Sequence, residues 1–245
     1  MTEFATLYAP PAQYAQDLQK IISDAGIYSP RSRQISIGPS EMGHECTRRM
    51  AYKLLDWDKP NETSGGSWAA QVGTAIHAYL AEVFGKVEGF EVEQRVTIRA
   101  GLGGTVDLFD TVRGVVLDWK TTGSTSLEKY KREGATQQQI IQVQLYGYGK
   151  ARQGVTVNKV ALAFLPTGGS LADMHLVMHD YDESVALKAL ERVDNVHALL
   201  AAVDVERSPS MWAQIPAKAD RLCNWCPYFK PFSQDASVGC PGDTA

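Results

Sequence analysis

The stretch that decides the fold runs from Gly101 to Thr122 and reads GLGGTVDLFDTVRGVVLDWKTT. Two short apolar segments flank a polar turn at residues 111–114, which predicts two strands joined as a β-hairpin. Each predicted strand carries one acid, Asp107 on the first and Asp118 on the second. Pairing across the turn therefore brings Asp107 to the same end of the sheet as Asp118.

Lys120 follows Asp118 by two positions. Strand alternation places these two side chains on one face of the sheet and Trp119 on the other. A D-x-K triplet alone usually marks a solvated ion pair, but this one ends the apolar run VVLDWK, where a charge pair is unfavourable unless it faces a site. Two carboxylates and one ammonium on rigid strands are the groups that a divalent metal and a phosphodiester require, and we predict such a site here.

The segments around the hairpin predict helices on both sides of a sheet. Between Trp68 and Phe84 the apolar residues recur with the period of a helix, and from residue 90 to 121 the period is two. The predicted strands lie near residues 90–99, 104–110 and 114–121. One further predicted helix opens at Pro10–Pro11, and another runs from an N-cap at Ser40 to about Leu55 with an interruption at Gly43. Two more helices are predicted at 136–152 and from Asp182 to about Val203, and a second hairpin pairs 159–165 with 171–178. Their order predicts an α/β fold with a mixed central β-sheet flanked by helices.

Length and composition are those of a globular protein. The 245 residues suffice for one large domain, with 44% hydrophobic and 21% charged residues. No apolar run approaches the roughly 20 residues of a membrane span, and the N-terminus lacks the features of a secretory signal. We therefore expect a reducing cytoplasm and no membrane partner. The net charge of −4 gives no sign of a general nucleic-acid coat, but local basic clusters leave DNA as a substrate open.

The cysteines form a pattern with two parts. Cys223, Cys226 and Cys240 give a C-x2-C-x13-C arrangement in the tail, and Cys46 lies far upstream. Structural disulfides are not expected in a reducing compartment. Four thiols suit a tetrahedral zinc ion or an iron–sulfur cluster, and four unrelated thiols are the remaining alternative. The tail after residue 205 is too irregular for a core of its own, so we expect something else to hold it.

Four short motifs occur in order along the chain. They are G-x-x-x-H at Gly73 and His77, G-x-x-D at Gly104 and Asp107, D-x-K at Asp118 and Lys120, and Q-x-x-x-Y at Gln142 and Tyr146. With this set the sequence resembles the RecB-type branch of the PD-(D/E)xK nuclease superfamily. Within that branch it is most similar to the CRISPR-associated iron–sulfur exonucleases and their phage relatives, because the cysteines extend the likeness over residues 46–240.

The resemblance implies one nuclease domain over residues 1–245. Its restriction-endonuclease-like catalytic core lies at 67–165, and segments 40–55 and 205–245 bind a [4Fe–4S] cluster through the four cysteines. The implied ligands of Mg²⁺ or Mn²⁺ are His77, Asp107, Asp118 and the carbonyl of Trp119. An imidazole ligand favours manganese.

Further roles follow from the same resemblance. Lys120 stabilises developing negative charge or orients the attacking water, and Gln142 and Tyr146 position Lys120 or the DNA end. Glu91 and Glu93 lie on the strand before Asp107, where a solvated strand face is favoured over a metal role. The residues predicted to line a channel for DNA are Arg31, Arg33, Arg48 and Arg49.

The implied activity is a metal-dependent DNA exonuclease that acts on single strands or duplex ends, with 5′-to-3′ polarity favoured. It would act in recombination, repair or end processing in a bacterial cell or phage-infected host, with a recombination or helicase protein as partner. One alternative is a non-catalytic nucleic-acid-binding or scaffold module that retains the iron–sulfur fold. Another is a zinc-stapled domain with an unrelated hydrolase function.

Overall fold

The structure, a computed structural model, describes residues 11–27, 37–61, 67–218 and 221–242. The helices and strands follow in chain order as α1 (Pro11–Ile27), α2 (Pro39–Met42), α3 (Thr47–Leu54), α4 (Trp68–Phe84), β1 (Phe90–Arg99), β2 (Leu102–Asp110), β3 (Val115–Thr122), α5 (Ser124–Glu133), α6 (Gln137–Ala151), β4 (Lys159–Pro166), β5 (His175–Asp180) and α7 (Glu183–Val203). Short 3-10 turns lie at Leu171–Asp173, Pro209–Gln214 and Arg221–Trp225. No helix in these ranges is long and apolar enough to cross a membrane.

The five strands form one mixed sheet in the order β1-β2-β3-β4-β5. Neighbouring strands are antiparallel except β3 and β4, which are parallel. A parallel pair needs a long crossover, and α5 and α6 supply it. The predicted mixed sheet flanked by helices is confirmed, and it has the architecture of a restriction-endonuclease-like core.

Apolar side chains on both faces of the sheet hold the helices in place. On one face Val106, Val116 and Phe164 pack with Val143 of α6. On the other face Leu108, Trp119 and Leu165 pack against α4. The hairpin is therefore covered on both sides, which gives its polar residues fixed positions.

A third core joins α3, α7 and the C-terminal tail, and it reaches the sheet at Ile98 of β1 and Leu102 of β2. Tyr52 of α3 stacks on Trp212 and on Tyr228, with ring centroids 4.0 and 5.0 Å apart. The tail therefore packs on the helical part of the molecule through buried aromatic side chains.

The helical region predicted from Ser40 to about Leu55, with an interruption at Gly43, consists of two separate helices. Gly38 is the N-cap of α2, and Cys46 is the N-cap of α3. Between them the backbone at Gly43 packs against α6, where a Cβ would lie 2.7 Å from Cα of Gln138. This contact with α6 accompanies the break in the helix and leaves no room for a side chain at position 43.

The β2–β3 turn is closed by Asp110. Its Oδ1 accepts hydrogen bonds from the backbone N–H groups of Val112 and Arg113, and its Oδ2 accepts one from Arg113 Nη1 at 2.8 Å. Burial acts to raise the pKa of this carboxyl, but the hydrogen bonds and charge of Arg113, together with the Val112 N–H, hold it below its ordinary value of 3.8. The charged form of Asp110 therefore stabilises the hairpin.

Replacing Asp110 by alanine is expected to lower the free energy of unfolding by about 1–2 kcal/mol at pH 7. Because the folded-state pKa is lowered, the stabilisation is fully present above pH 3.8 and is lost as the pH falls through the folded-state value. Urea denaturation of both proteins at several pH values checks this. A difference that stays constant into acid would show that the carboxylate charge is not responsible.

Candidate active site

Strand β3 presents Asp118 and Lys120 together, as strand alternation predicts. Lys120 Nζ lies 2.6 Å from Asp118 Oδ2. Asp118 is only 3% exposed, so this ion pair is buried at its acidic end. Trp119 points to the opposite face, where its ring lies 5.5 Å from that of Phe84 in α4.

Helix α6 holds this pair through the amide of Gln142. Its Nε2 donates to Asp118 Oδ1 and to the hydroxyl of Tyr146, each at 3.1 Å. Its Oε1 accepts from Lys120 Nζ at 2.9 Å. The buried amide of Gln142 therefore positions both Asp118 and Lys120, because its N–H group bonds the acid while its oxygen bonds the lysine. The Q-x-x-x-Y spacing places Tyr146 one turn along the same helix face.

Asp107 lies where β2 and β3 separate. Strand pairing extends from Asp110–Val115 to Leu108–Leu117. One residue further, Asp107 Oδ2 accepts the backbone N–H of Trp119 at 2.8 Å. The Asp107 carboxylate thus accepts an N–H that a backbone carbonyl of β2 would accept in regular strand pairing. It holds the end of β3 so that Asp118 lies close to Asp107.

His77 and Glu93 complete the acidic end of the site. His77 Nδ1 of α4 is 3.4 Å from Asp107 Oδ2. One ligand atom from each of His77, Glu93 and Asp107 lies within 4.8 Å of the others. Glu93 is exposed, as predicted for a solvated strand face, and its carboxylate nevertheless lies beside His77 and Asp107. The missed signal was the β1–β2 register, which places Glu93 opposite Asp107 across the turn at Gly101.

The electrostatics of the site favour a cation. Burial raises the pKa of Asp118; the Lys120 charge acts against this shift, and the negative charge of Asp107 adds to it. Asp118 Oδ2 lies 2.6 Å from Lys120 Nζ, so the lysine ammonium faces this buried oxygen directly. Neighbouring carboxylates beside an imidazole are a donor set that fits Mg²⁺ or Mn²⁺.

Two motif glycines allow the elements to approach closely. A Cβ at Gly104 would lie 2.6 Å from Cε1 of Tyr146, and one at Gly73 would lie 3.1 Å from Oγ1 of Thr121. Gly104 therefore makes room for the tyrosine that contacts Gln142. Gly73 lets α4 approach the end of β3, four residues before His77.

A Gly104→Ala substitution is expected to displace the Tyr146 ring and break its hydrogen bond with Gln142. We expect a loss of about 1–3 kcal/mol in stability from overpacking. Thermal unfolding measures this effect. Gly123→Ala is the matched control, because a Cβ there meets no atom within 4 Å. Equal behaviour of the two variants would contradict the role of Gly104.

The four cysteines come together at a second place. Cys46, Cys223, Cys226 and Cys240 line a single pocket. Cys46 caps α3, and its Sγ accepts the backbone N–H of Arg49 at 3.5 Å. The other side chains of the pocket include both aromatic and basic residues, namely His44, Arg49, Tyr52, Lys218, Tyr228 and Phe229.

Arg48 belongs to this region rather than to a DNA surface. The residue is 8% exposed, and its guanidinium donates to the carbonyls of Ile215 and Ala213. Its Nη1 also lies 3.6 Å from Cys240 Sγ. The prediction that Arg48 lines a DNA channel is therefore wrong in this structure, because its donors are directed at the tail.

The other predicted DNA contacts have different outcomes. Arg49 contacts His44 Nε2 at 3.1 Å and lines the cysteine pocket. Arg31 and Arg33 lie outside the described residues. The structure therefore brings together the acids, lysine, glutamine, tyrosine and histidine of the four motifs. The two predicted arginines that it describes, Arg48 and Arg49, lie at the cysteine pocket and form no basic channel there.

The family comparison agrees with the site. Residues 72–230 match the PD-(D/E)XK nuclease superfamily. This match covers more than half of the chain, and the chain belongs to that superfamily. The predicted superfamily is thus confirmed, and membership supports a nuclease that uses a divalent metal. Comparison with curated proteins gave no match.

Several solved structures share the fold. The crystal structure of SSO0001 superposes with a TM-score of 0.55 at 15% identity, over 95% of this chain and 98% of that one. An alkaline exonuclease, LHK-Exo from Laribacter hongkongensis, gives 0.51 at 14% identity over 75% of this chain and 96% of its own. LHK-Exo in complex with dAMP gives 0.50 at 15% identity over the same shares. At these identities the likeness shows the fold.

Proposed function

We propose that this chain is a divalent-metal-dependent DNA exonuclease that acts on single strands or duplex ends, with 5′-to-3′ polarity favoured. The observation that carries the proposal is the buried Asp118–Lys120 pair, clamped by Gln142 beside the second carboxylate of Asp107. One structural neighbour is an alkaline exonuclease that binds dAMP in its crystal. Recombination, repair or end processing is the proposed setting, with Arg31 and Arg33 as proposed DNA contacts.

The proposed metal ligands are His77, Asp107, Asp118 and the carbonyl of Trp119. A bound Mg²⁺ or Mn²⁺ would polarise the phosphodiester and lower the pKa of a coordinated water. Lys120, fixed by Gln142, places its ammonium where negative charge develops on the phosphate. Gln142 in turn is oriented by Tyr146. Asp107 keeps the backbone of Trp119 in place through the N–H that it accepts.

We also propose that the cysteine pocket binds a [4Fe–4S] cluster, which joins segments 40–55 and 205–245 to the core at 67–165 in one domain. The guanidinium of Arg48 beside Cys240 suits an anionic group. Tyr228, whose buried hydroxyl has no hydrogen-bond partner in the described ranges, also lines the pocket.

The order of the cysteines along the chain is our reason for proposing the cluster over zinc. A zinc ribbon usually brings two C-x2-C pairs. Here only Cys223 and Cys226 form such a pair, and Cys46 stands alone far upstream.

The deciding experiment for the nuclease is digestion of 5′- and 3′-labelled single- and double-stranded DNA with Mn²⁺, Mg²⁺ or EDTA, using protein purified without oxygen. We expect cleavage with either metal, none with EDTA, and mononucleotides released first from the 5′-labelled end. The order of label release gives the polarity. A folded protein that binds DNA without cleaving it would overturn the proposal in favour of a binding or scaffold module.

A further inference from the structure

Strand β1 is distorted at Glu93, apart from a register shift between Thr97 and Arg99 near its end. Its neighbours pair regularly with β2, as Val92–Leu108 and Gln94–Val106, but Glu93 and Asp107 form no strand pair between them. Glu93 also has φ = 51°, in the left-handed region that a residue with a side chain rarely adopts. The interruption therefore lies opposite a residue of the proposed active site.

Such backbone strain persists only where the surrounding structure imposes it, and it concentrates at functional sites. Here the result is visible in the side chain. A carboxylate oxygen of Glu93 lies within 4.8 Å of ligand atoms of both His77 and Asp107. The distorted backbone thus accompanies a third group in reach of the same cation.

Glu91 on the same strand shows what an ordinary ion pair looks like here. Its Oε2 accepts from the buried Lys150 Nζ at 2.8 Å, and its backbone keeps the strand pairing with Phe109. Glu91 therefore serves the packing of α6 on the sheet, without strain. Glu93 differs from Glu91 in its positive φ and its missing strand pair, and its carboxylate lies beside His77 and Asp107.

We infer that Glu93 is a further ligand of the catalytic metal, held in place by the kink in β1, which is the left-handed backbone at this residue. This inference rests on the proposed function and adds to its ligand set. With Glu93, three carboxylates lie near the single positive charge of Lys120, and this excess of negative charge favours a divalent over a monovalent cation. The strained backbone at Glu93 lowers the stability of the metal-free protein. It also accompanies a carboxylate within reach of the other proposed metal ligands.

The test is Mn²⁺ binding to anaerobically purified protein, measured from the electron paramagnetic resonance signal of free Mn²⁺. We expect Glu93→Gln to weaken binding at least tenfold. We expect Glu93→Gly to weaken it as much and also to raise the Tm of the metal-free protein, because glycine adopts φ = 51° without strain. Glu82→Gln is the control, since Glu82 is exposed on α4 and forms a surface ion pair with Lys86 just after the helix.

The Asp107→Asn variant distinguishes a failure of the Glu93 inference from a failure of the proposed function. If it loses Mn²⁺ while both Glu93 variants keep wild-type affinity, the role of Glu93 is overturned and the proposed function stands. If Glu93→Gly lowers the Tm of the metal-free protein, the kink is not strained and the inference also fails. If wild-type protein neither binds Mn²⁺ nor cleaves DNA, the proposed function fails first.

Discussion

Asp118→Asn is expected to slow DNA cleavage about 10³-fold, or ~4 kcal/mol in activation free energy, in a protein that remains folded. Asparagine keeps an acceptor oxygen for the Gln142 amide, which now bonds Asp118 Oδ1 at 3.1 Å. It removes the negative charge that faces Lys120 Nζ at 2.6 Å and that we propose binds the metal. The substitution therefore changes the chemistry of the site more than its packing.

Single-turnover cleavage of end-labelled single-stranded DNA with Mn²⁺ measures the loss, and circular dichroism checks the fold. Asp180→Asn is the matched control, because Asp180 forms a surface ion pair with Lys159 on β4 and β5. Surface ion pairs contribute about 0–1 kcal/mol, so this control should cleave at the wild-type rate. An Asp118→Asn protein that keeps more than about a tenth of the activity would remove Asp118 from the site.

The hairpin could be predicted from the sequence because its determinants are local. Period two fixes which face Asp118 and Lys120 share, and the short turn fixes the register that brings Asp107 alongside. The Gln142–Tyr146 pair is likewise local, since residues four apart on a helix are neighbours. These features need no knowledge of distant parts of the chain.

The surroundings of Arg48 could not be predicted because tertiary structure sets them. An arginine next to a cysteine is expected to be a surface charge, yet Arg48 contacts Cys240, 192 positions away. Glu93 is exposed, as predicted, but the sequence does not show the distorted backbone that distinguishes it from Glu91. The interruption at Gly43 was predicted from the glycine itself, and the structure adds the contact with α6 that leaves no room for a side chain there.

Cys226→Ser is expected to abolish binding of the proposed [4Fe–4S] cluster and to lower the stability by about 5 kcal/mol or more, because a group bound by four thiols contributes directly to folding. For a chain of this size that corresponds to a Tm lower by about 10–20 °C. Cys226 lies in the turn after which the tail pairs through Phe229 and Cys240. Loss of the group therefore frees the tail from α3, where Cys46 is the N-cap.

Iron and zinc analysis with the visible spectrum and thermal unfolding, all without oxygen, measures this effect. We expect a brown wild type with four irons per chain and a colourless variant. Gln234→Ala is the control, because this exposed tail residue lies outside the pocket and should leave colour and Tm unchanged. A measured content of one zinc per chain would show that the cysteines bind a structural zinc ion and not an iron–sulfur cluster. A wild type with neither metal would show that aromatic packing of Tyr52, Trp212 and Tyr228 alone holds the tail.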